Sequence, residues 1–142
     1  QTARQLMGIS QLTGTCTAQT GTIWYETCLP QAAEVADIEI MPQSEDAPAM
    51  IMAVESGTVD FICTDMPTAK GAVVAYPDMK LLDFTGSDDN FEVDEGEINI
   101  GVSVRKGNAE LKDAIDSVLS TMTEDDFNAM MDEAIAIQPL SE

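Results

Sequence analysis

The sequence predicts a three-layer α/β domain with a mainly parallel central sheet. Three observations carry this. Short apolar or β-branched stretches at 15–18, 38–41 and 59–64 are separated by stretches of helical character. Glycines or prolines (Gly21, Pro42, Gly57, Pro67) stand at their borders. The third stretch runs straight out of a helix and delivers a carboxylate, Asp65, at its far end. Alternating strands and helices of this kind are linked by right-handed crossovers, and strands so linked lie parallel.

Residues 1–11 are polar with isolated Leu6, Met7 and Ile9 and read as a lead-in segment. Residues 15–18 then form a short strand, Gln19-Thr20-Gly21-Thr22 a turn and 23–29 a helix, which Pro30 breaks or bends. Ile38, Ile40 and Met41 make a second strand that ends before Pro42. Ser44 is placed to cap the next helix, with Glu45 and Asp46 in its first turn against the positive end of the macrodipole. Ala47, Met50, Ile51 and Val54 lie on one face of that helix, and Gly57 stands where it stops.

Val59, Phe61, Ile62 and Cys63 suit a strand buried in a parallel sheet, and Pro67 cannot donate to a ladder, so pairing ends near Asp65. The carboxyl edge of an open α/β sheet is where loops diverge and ligands bind. Asp65 can serve there as a ligand group, or it can cap a helix that begins at Pro67. Small apolar residues over 67–76 make a covering helix, and Leu81, Leu82 and Phe84 read as a fourth strand. Residues 85–97 are a loop by composition; Asp88 and Asp89 lack the ordered ligand spacing of a calcium loop. Ile98, Ile100, Val102 and Val104 alternate with Asn99, Gly101, Ser103 and Arg105, the pattern of a half-exposed strand.

The carboxyl-terminal part is helical. Asn108 caps a helix whose apolar face is Leu111, Ile115, Val118, Leu119 and Met122, with Lys112 and Asp116 paired one turn apart. Thr123 and Asp126 open the next in the manner of a capping box, with Phe127, Met130, Met131, Ala134 and Ile135 as its stripe and Pro139 at its end. The organisation is therefore a lead-in over 1–11, an α/β lobe over 12–104 and helices over 105–142.

Composition narrows the functions. Twenty-six acidic residues against 6 basic ones give a net charge of −20, which repels nucleic acid and anionic lipid surfaces. No apolar run reaches the roughly 18 residues that a membrane span needs. Cys16, Cys28 and Cys63 lack metal-ligand spacing, the chain has no His, and the three read as buried thiols. Without His, no nucleophile and base pair assembles in the usual way, and no Gly-rich phosphate loop is present, so no metal or cofactor is expected. What remains is Gly21-Thr22 at a helix start, where backbone N–H groups and the dipole hold an anion, and Asp65, which holds a cation. Together they match the two poles of an amino-acid zwitterion.

The order of these segments resembles the polar amino-acid substrate-binding proteins of ABC transporters. Leu12-Thr13-Gly14 through Gln19-Thr20-Gly21-Thr22 is similar to the Leu-x-Gly, strand, Gln-x-Gly-Thr signature that opens their second lobe. Gly57-x-Val59-Asp60 through Asp65-x-Pro67 is similar to their Gly-x-Val-Asp, strand, Asp-x-Pro signature, and residues 101–108 to the strand and cap on the return to the first lobe. The likeness covers residues 12–135. It implies one lobe of the type II periplasmic binding protein fold, with a first lobe belonging ahead of Leu12 and the C-terminal helices packing on that lobe.

By the same likeness Thr22 binds the ligand α-carboxylate and Asp65 its α-ammonium, with Gln19, Thr20 and Gly21 beside the ligand. It further implies an extracytoplasmic protein, periplasmic or a cell-surface lipoprotein, that hands an amino acid to a membrane ABC permease without catalysis. Two alternatives use the same fold: a sensor domain, and a dehydratase-like enzyme with Asp65 or Glu26 as its acid/base group. The helices after Asn108 carry stripes too wide for one hairpin to bury, so a homodimer through them is expected.

Overall fold

Strand β1 (Thr13–Thr17) is the middle strand of the sheet, and its threonines alternate with Gly14 and Cys16. In the computed structural model, which describes residues 6–137, β2 (Asp37–Ile40) pairs parallel along one edge of β1, with Gly14 opposite Ile38 and Cys16 opposite Ile40. Along the other edge β3 (Phe61–Ile62) pairs parallel, with Cys16 opposite Phe61. The Asp60 N–H donates to the Thr15 carbonyl at 2.9 Å and the Cys63 N–H to the Thr17 carbonyl at 3.2 Å, so the contact outruns the two residues of β3. The order is β2-β1-β3. The predicted parallel α/β sheet is thus present, with its first two strands a residue or two earlier than their apolar residues suggest and its third shorter.

Two helices cover this sheet. α1 (Leu29–Val35) packs on β2, and α2 (Ala47–Glu55) packs on β3. The first crossover runs outward from β1 and the second returns across it, so right-handed connections put the two helices on opposite faces. Cys16, Ala18, Cys28, Leu29 and Cys63 form one buried cluster, and Ile9, Leu12, Ala32 and Phe84 a second. Leu29 and Met50 are fully buried, each adding about 1.5–3 kcal/mol by leaving water.

Pro30 does not end its helix. The turn before it, Trp24–Cys28, is π-helical, and the Leu29 N–H reaches back five residues to the Trp24 carbonyl. In a regular α-helix the proline ring collides with the carbonyl four residues earlier; a turn widened by one residue relieves that contact, so the chain continues into α1. The cap of α2 also differs from expectation. Asp46, not Ser44, accepts the Ala49 N–H at 2.8 Å, and Pro48 occupies the first turn, where its missing N–H costs nothing. Ser44 instead lies beside Gln19 in a parallel bridge. Gly57, with φ 73°, follows α2 as expected.

α3 (Met66–Ala75) matches the predicted helix over 67–76. The fourth strand does not form: Leu81 and Leu82 are exposed, and a groove separates them from β3. Residues 85–97 lead into one short helical turn, α4 (Glu95–Ile98), which takes in the Ile98 expected to open a strand, and the loop before it is more than solvated chain. The Asp89 carboxylate accepts the Ser10 N–H and hydroxyl, and its carbonyl accepts the Ile9 N–H at 3.1 Å. The Gln31 amide exchanges two hydrogen bonds with the Glu92 backbone, at 2.6 and 2.9 Å, while Phe91 and Val93 pack on the core. The lead-in segment, where described, is therefore held to this loop.

The chain divides into two compact units, Gln1–Ile98 and Asn99–Glu142. In the second, residues 99–104 are not a strand, because among the described residues of this unit no strand is present to pair with them. α5 (Ala109–Leu119) is capped by Asn108, whose side chain accepts the Leu111 N–H, and Lys112 bridges to Asp116. α6 (Glu124–Ile137) opens with the predicted box: Thr123 donates through N–H and hydroxyl to Asp126, and the Asp126 N–H donates to the Thr123 hydroxyl. Pro139 lies outside the described residues. No residue of α5 or α6 is buried, and Phe127 and Met130 stand about half exposed, at 47% and 57%.

Asp60 locks the entry of β1. Its carboxylate accepts the Thr15 N–H at 2.8 Å and the Thr15 hydroxyl at 3.0 Å, which holds its pKa below the ordinary aspartate range. Gly14, at φ 102°, leaves the space, since a Cβ there would sit 2.5 Å from the Asp60 carboxylate. Gly14→Ala should therefore cost more than about 2 kcal/mol, against about 1 kcal/mol for Gly21→Ala, where φ is 68° and the space is open; urea midpoints compare the two. A pKa lowered on folding contributes stability above the unfolded value near 3.9 that is lost as pH falls through the folded one. Asp60→Asn should accordingly be less stable than the parent at pH 7, with the gap closing as pH falls below about 4.

Candidate functional site at the carboxyl edge of the sheet

The strand order reverses at β1. From β1 the chain leaves toward β2 on one side, and from β2 it crosses back to β3 on the other. The carboxyl ends of the strands beside such a reversal are the position where open α/β sheets bind ligands. Residues 19–22 follow β1 and Asp65 follows β3. The topology therefore brings all five sequence-predicted site residues, Gln19, Thr20, Gly21, Thr22 and Asp65, to one edge on neighbouring strands.

The β1 loop is well braced. The Thr20 N–H donates to the Ser44 carbonyl at 2.8 Å, and the Ser44 N–H to the Ala18 carbonyl at 3.0 Å. The buried Thr17 hydroxyl donates to the Pro42 carbonyl at 2.8 Å, and the Tyr25 hydroxyl to the Met41 carbonyl at 3.0 Å, so the loops after β1 and β2 are fastened together. Gly21 turns the chain through a positive φ, and the Thr22 hydroxyl donates to the Gln19 carbonyl at 2.7 Å. The helix that follows starts with N–H groups that have no partner within the helix, the feature that suits an anion. Thr22 itself is committed to the turn, so any hydrogen bond from its hydroxyl to a ligand requires a new rotamer.

Asp65 caps α3. Its carboxylate accepts the Thr68 N–H at 2.8 Å and the Thr68 hydroxyl at 3.1 Å. Both oxygens thus have an internal partner, and each keeps a lone pair for a further donor. The capping role and the ligand role are compatible, and the cap fixes where the charge points. Glu26, the other acid considered, is exposed on the π turn, its N–H bonded to the Thr22 carbonyl.

The three thiols lie behind this edge. Burial pushes Cys16 up to about 11, and its thiol contacts the Glu39 carbonyl. The hydrogen bond with Cys28 and burial raise Cys63 further, so it stays protonated at any physiological pH. These are buried free thiols, in line with the sequence reading. Among the described residues no cluster of His, Cys, Asp or Glu fits a metal ion, and no helix is long and apolar enough to cross a membrane.

Sequence reasoning missed the braces Thr17, Ser44 and Tyr25, whose partners are backbone carbonyls distant in sequence and leave no local pattern. It also missed a groove of about 800 Å³ along the far edge of β3, lined by Phe61, Ile62 and Met66 among others but by none of residues 19–22. No protein-family model, curated protein or solved structure matches this chain.

The two roles of Asp65 separate by substitution. Asp65→Ala removes the cap and should cost about 1 kcal/mol in a urea titration. Asp65→Asn keeps an acceptor for the Thr68 N–H and should stay within about 0.5 kcal/mol of the parent, while abolishing any site for a cation.

Proposed function

We propose that this chain is a ligand-capture lobe, without catalysis, that takes a free amino acid at the carboxyl edge of its sheet. What supports the reading is that a helix start after β1 and a carboxylate after β3 follow the carboxyl ends of two neighbouring parallel strands. The first suits the α-carboxylate, through the backbone N–H groups near Gly21 and Thr22. The second suits the α-ammonium, through Asp65. Gln19 and Thr20 stand beside them on the same loop.

The absence of His and the burial of all three thiols weigh against nucleophilic chemistry at this edge. Selective binding of a zwitterion is then the chemistry that the edge supports best. Combined with the segment order set out from the sequence, the fuller proposal is the solute-binding component of an amino-acid ABC transporter. In this role it is an extracytoplasmic, cell-surface or periplasmic protein that delivers its ligand to a membrane permease. The acidic surface suits such a role, because it keeps the molecule soluble and apart from anionic lipid headgroups.

A site open to water on one side gives only part of the roughly 1.5–3 kcal/mol of a charged hydrogen bond, and immobilising the ligand costs several kcal/mol. This chain should therefore bind polar amino acids with a dissociation constant of about 1 mM or weaker. In an NMR titration, amide shifts should move around residues 19–22 and 65, and Asp65→Asn should remove them. Shifts confined to other regions, or an Asp65→Asn variant that responds like the parent, would sink the assignment.

A further inference from the structure

The register of the sheet sets Cys16 and Cys63 on one face. Thr17 lies opposite Ile62 and the Cys63 N–H donates to the Thr17 carbonyl, so the pairing carries on by one residue and puts Cys63 opposite Ala18. Residues opposite each other share a face, and so do residues two apart along a strand. Cys16, Ala18 and Cys63 therefore point to the same side. The π turn Trp24–Cys28 brings Cys28 onto that side, where these four residues and Leu29 form one buried cluster.

Within the cluster the three thiols are not equivalent. Cys28 and Cys63 are hydrogen-bonded to each other, whereas the Cys16 thiol turns to the Glu39 carbonyl of β2. Register also separates Cys16 from Cys63. Cys16 stands opposite Phe61, not Cys63; a diagonal of one strand spacing and two residues spans about 8 Å, beyond the roughly 7 Å between Cα atoms that a disulfide bridges. Of the possible pairs, only Cys28 with Cys63 joins two thiols already in contact.

We propose that Cys28 and Cys63 are a disulfide-forming pair, closed by a small-molecule disulfide such as oxidised glutathione, and that Cys16 is the thiol left over. One protein thiolate attacks the glutathione disulfide and releases a first reduced glutathione; the other then attacks the mixed disulfide and releases a second. The two electrons of the protein thiols thus end on glutathione, and each released thiolate takes up a proton. The bond ties the turn that follows residues 19–22 to the strand end just ahead of Asp65, so the two sides of the carboxyl edge become covalently joined. It closes a loop that contains α1, β2 and α2, and closing such a loop stabilises a fold by narrowing its unfolded ensemble. The pairing follows from register and contact and does not rest on the amino-acid reading.

The test takes the whole chain, fully reduced, into a buffer of oxidised and reduced glutathione at a urea concentration just below the unfolding midpoint, where transient opening admits the reagent. Remaining thiols are then alkylated and the peptides mapped by mass spectrometry. The chain should lose the mass of two hydrogen atoms, with Cys28 joined to Cys63 and Cys16 alkylated. Its urea midpoint should rise on oxidation and fall back when the bond is reduced. Cys16→Ala should oxidise like the parent, whereas Cys28→Ala and Cys63→Ala should show no rise. A parent chain that stays fully reduced, or that ends only as mixed disulfides with glutathione, overturns the proposal. So does a bond from Cys16 to either of the others, or a bond between Cys28 and Cys63 that lowers the midpoint.

Discussion

Both edges of β1 are taken, and everything in the first unit follows from that. β2 and β3 each pair with β1 and with no other strand among the described residues, so the sheet exists only through this one strand. Its side chains must accordingly be small enough to be covered on both faces, and Cys16 and Thr17 are, as is Ala18 just beyond its end. Asp60 and Gly14 set its entry, and the Thr17 hydroxyl ties its exit to the loop after β2. The strand is thus clamped at each end by a side chain, and the loop that follows it starts from a fixed point.

That fixed point matters for the chemistry of the carboxyl edge. A binding site gains most from charges whose positions are settled before the ligand arrives. Asp65 is oriented by Thr68, and the turn at residues 19–22 by Ser44 and by Thr22 itself, so neither half of the edge has to be ordered on binding. The same hydrogen bonds limit what each group offers to a ligand. Asp65 keeps spare lone pairs, whereas the Thr22 hydroxyl is taken up by the turn.

The parallel core was legible in the sequence because its signals are local. Alternation of strand and helix, Gly57 after a helical face and the Thr123/Asp126 box all lie within a few residues, and each has its counterpart in the structure. So does Asp65, whose capping role could be read from Pro67 and Thr68 beside it. The stretches at 81–84 and 98–104 were misread as formed strands for one reason. Periodicity reports what a segment can become, and pairing depends on a neighbour that no local pattern reveals. Ser44 lost its cap to Asp46 because Pro48 marks the first turn more strongly than a serine marks the residue before it. Asp89 and Gln31 were invisible because their partners, Ser10 and the Glu92 backbone, are 79 and 61 residues away.

The widened turn ahead of Pro30 has a geometric consequence for what the helix can present. One extra residue in a helical turn rotates all that follows by about 100° relative to a regular helix. The segment over 23–35 therefore shows two phases. Trp24 and Tyr25 pack on the cluster that holds Leu29, with the Tyr25 hydroxyl reaching the Met41 carbonyl, while Ala32 joins the second cluster and Gln31 meets the Glu92 backbone. A one-residue deletion within this turn would return the helix to a single phase, and its two halves could no longer face both of their partners at once.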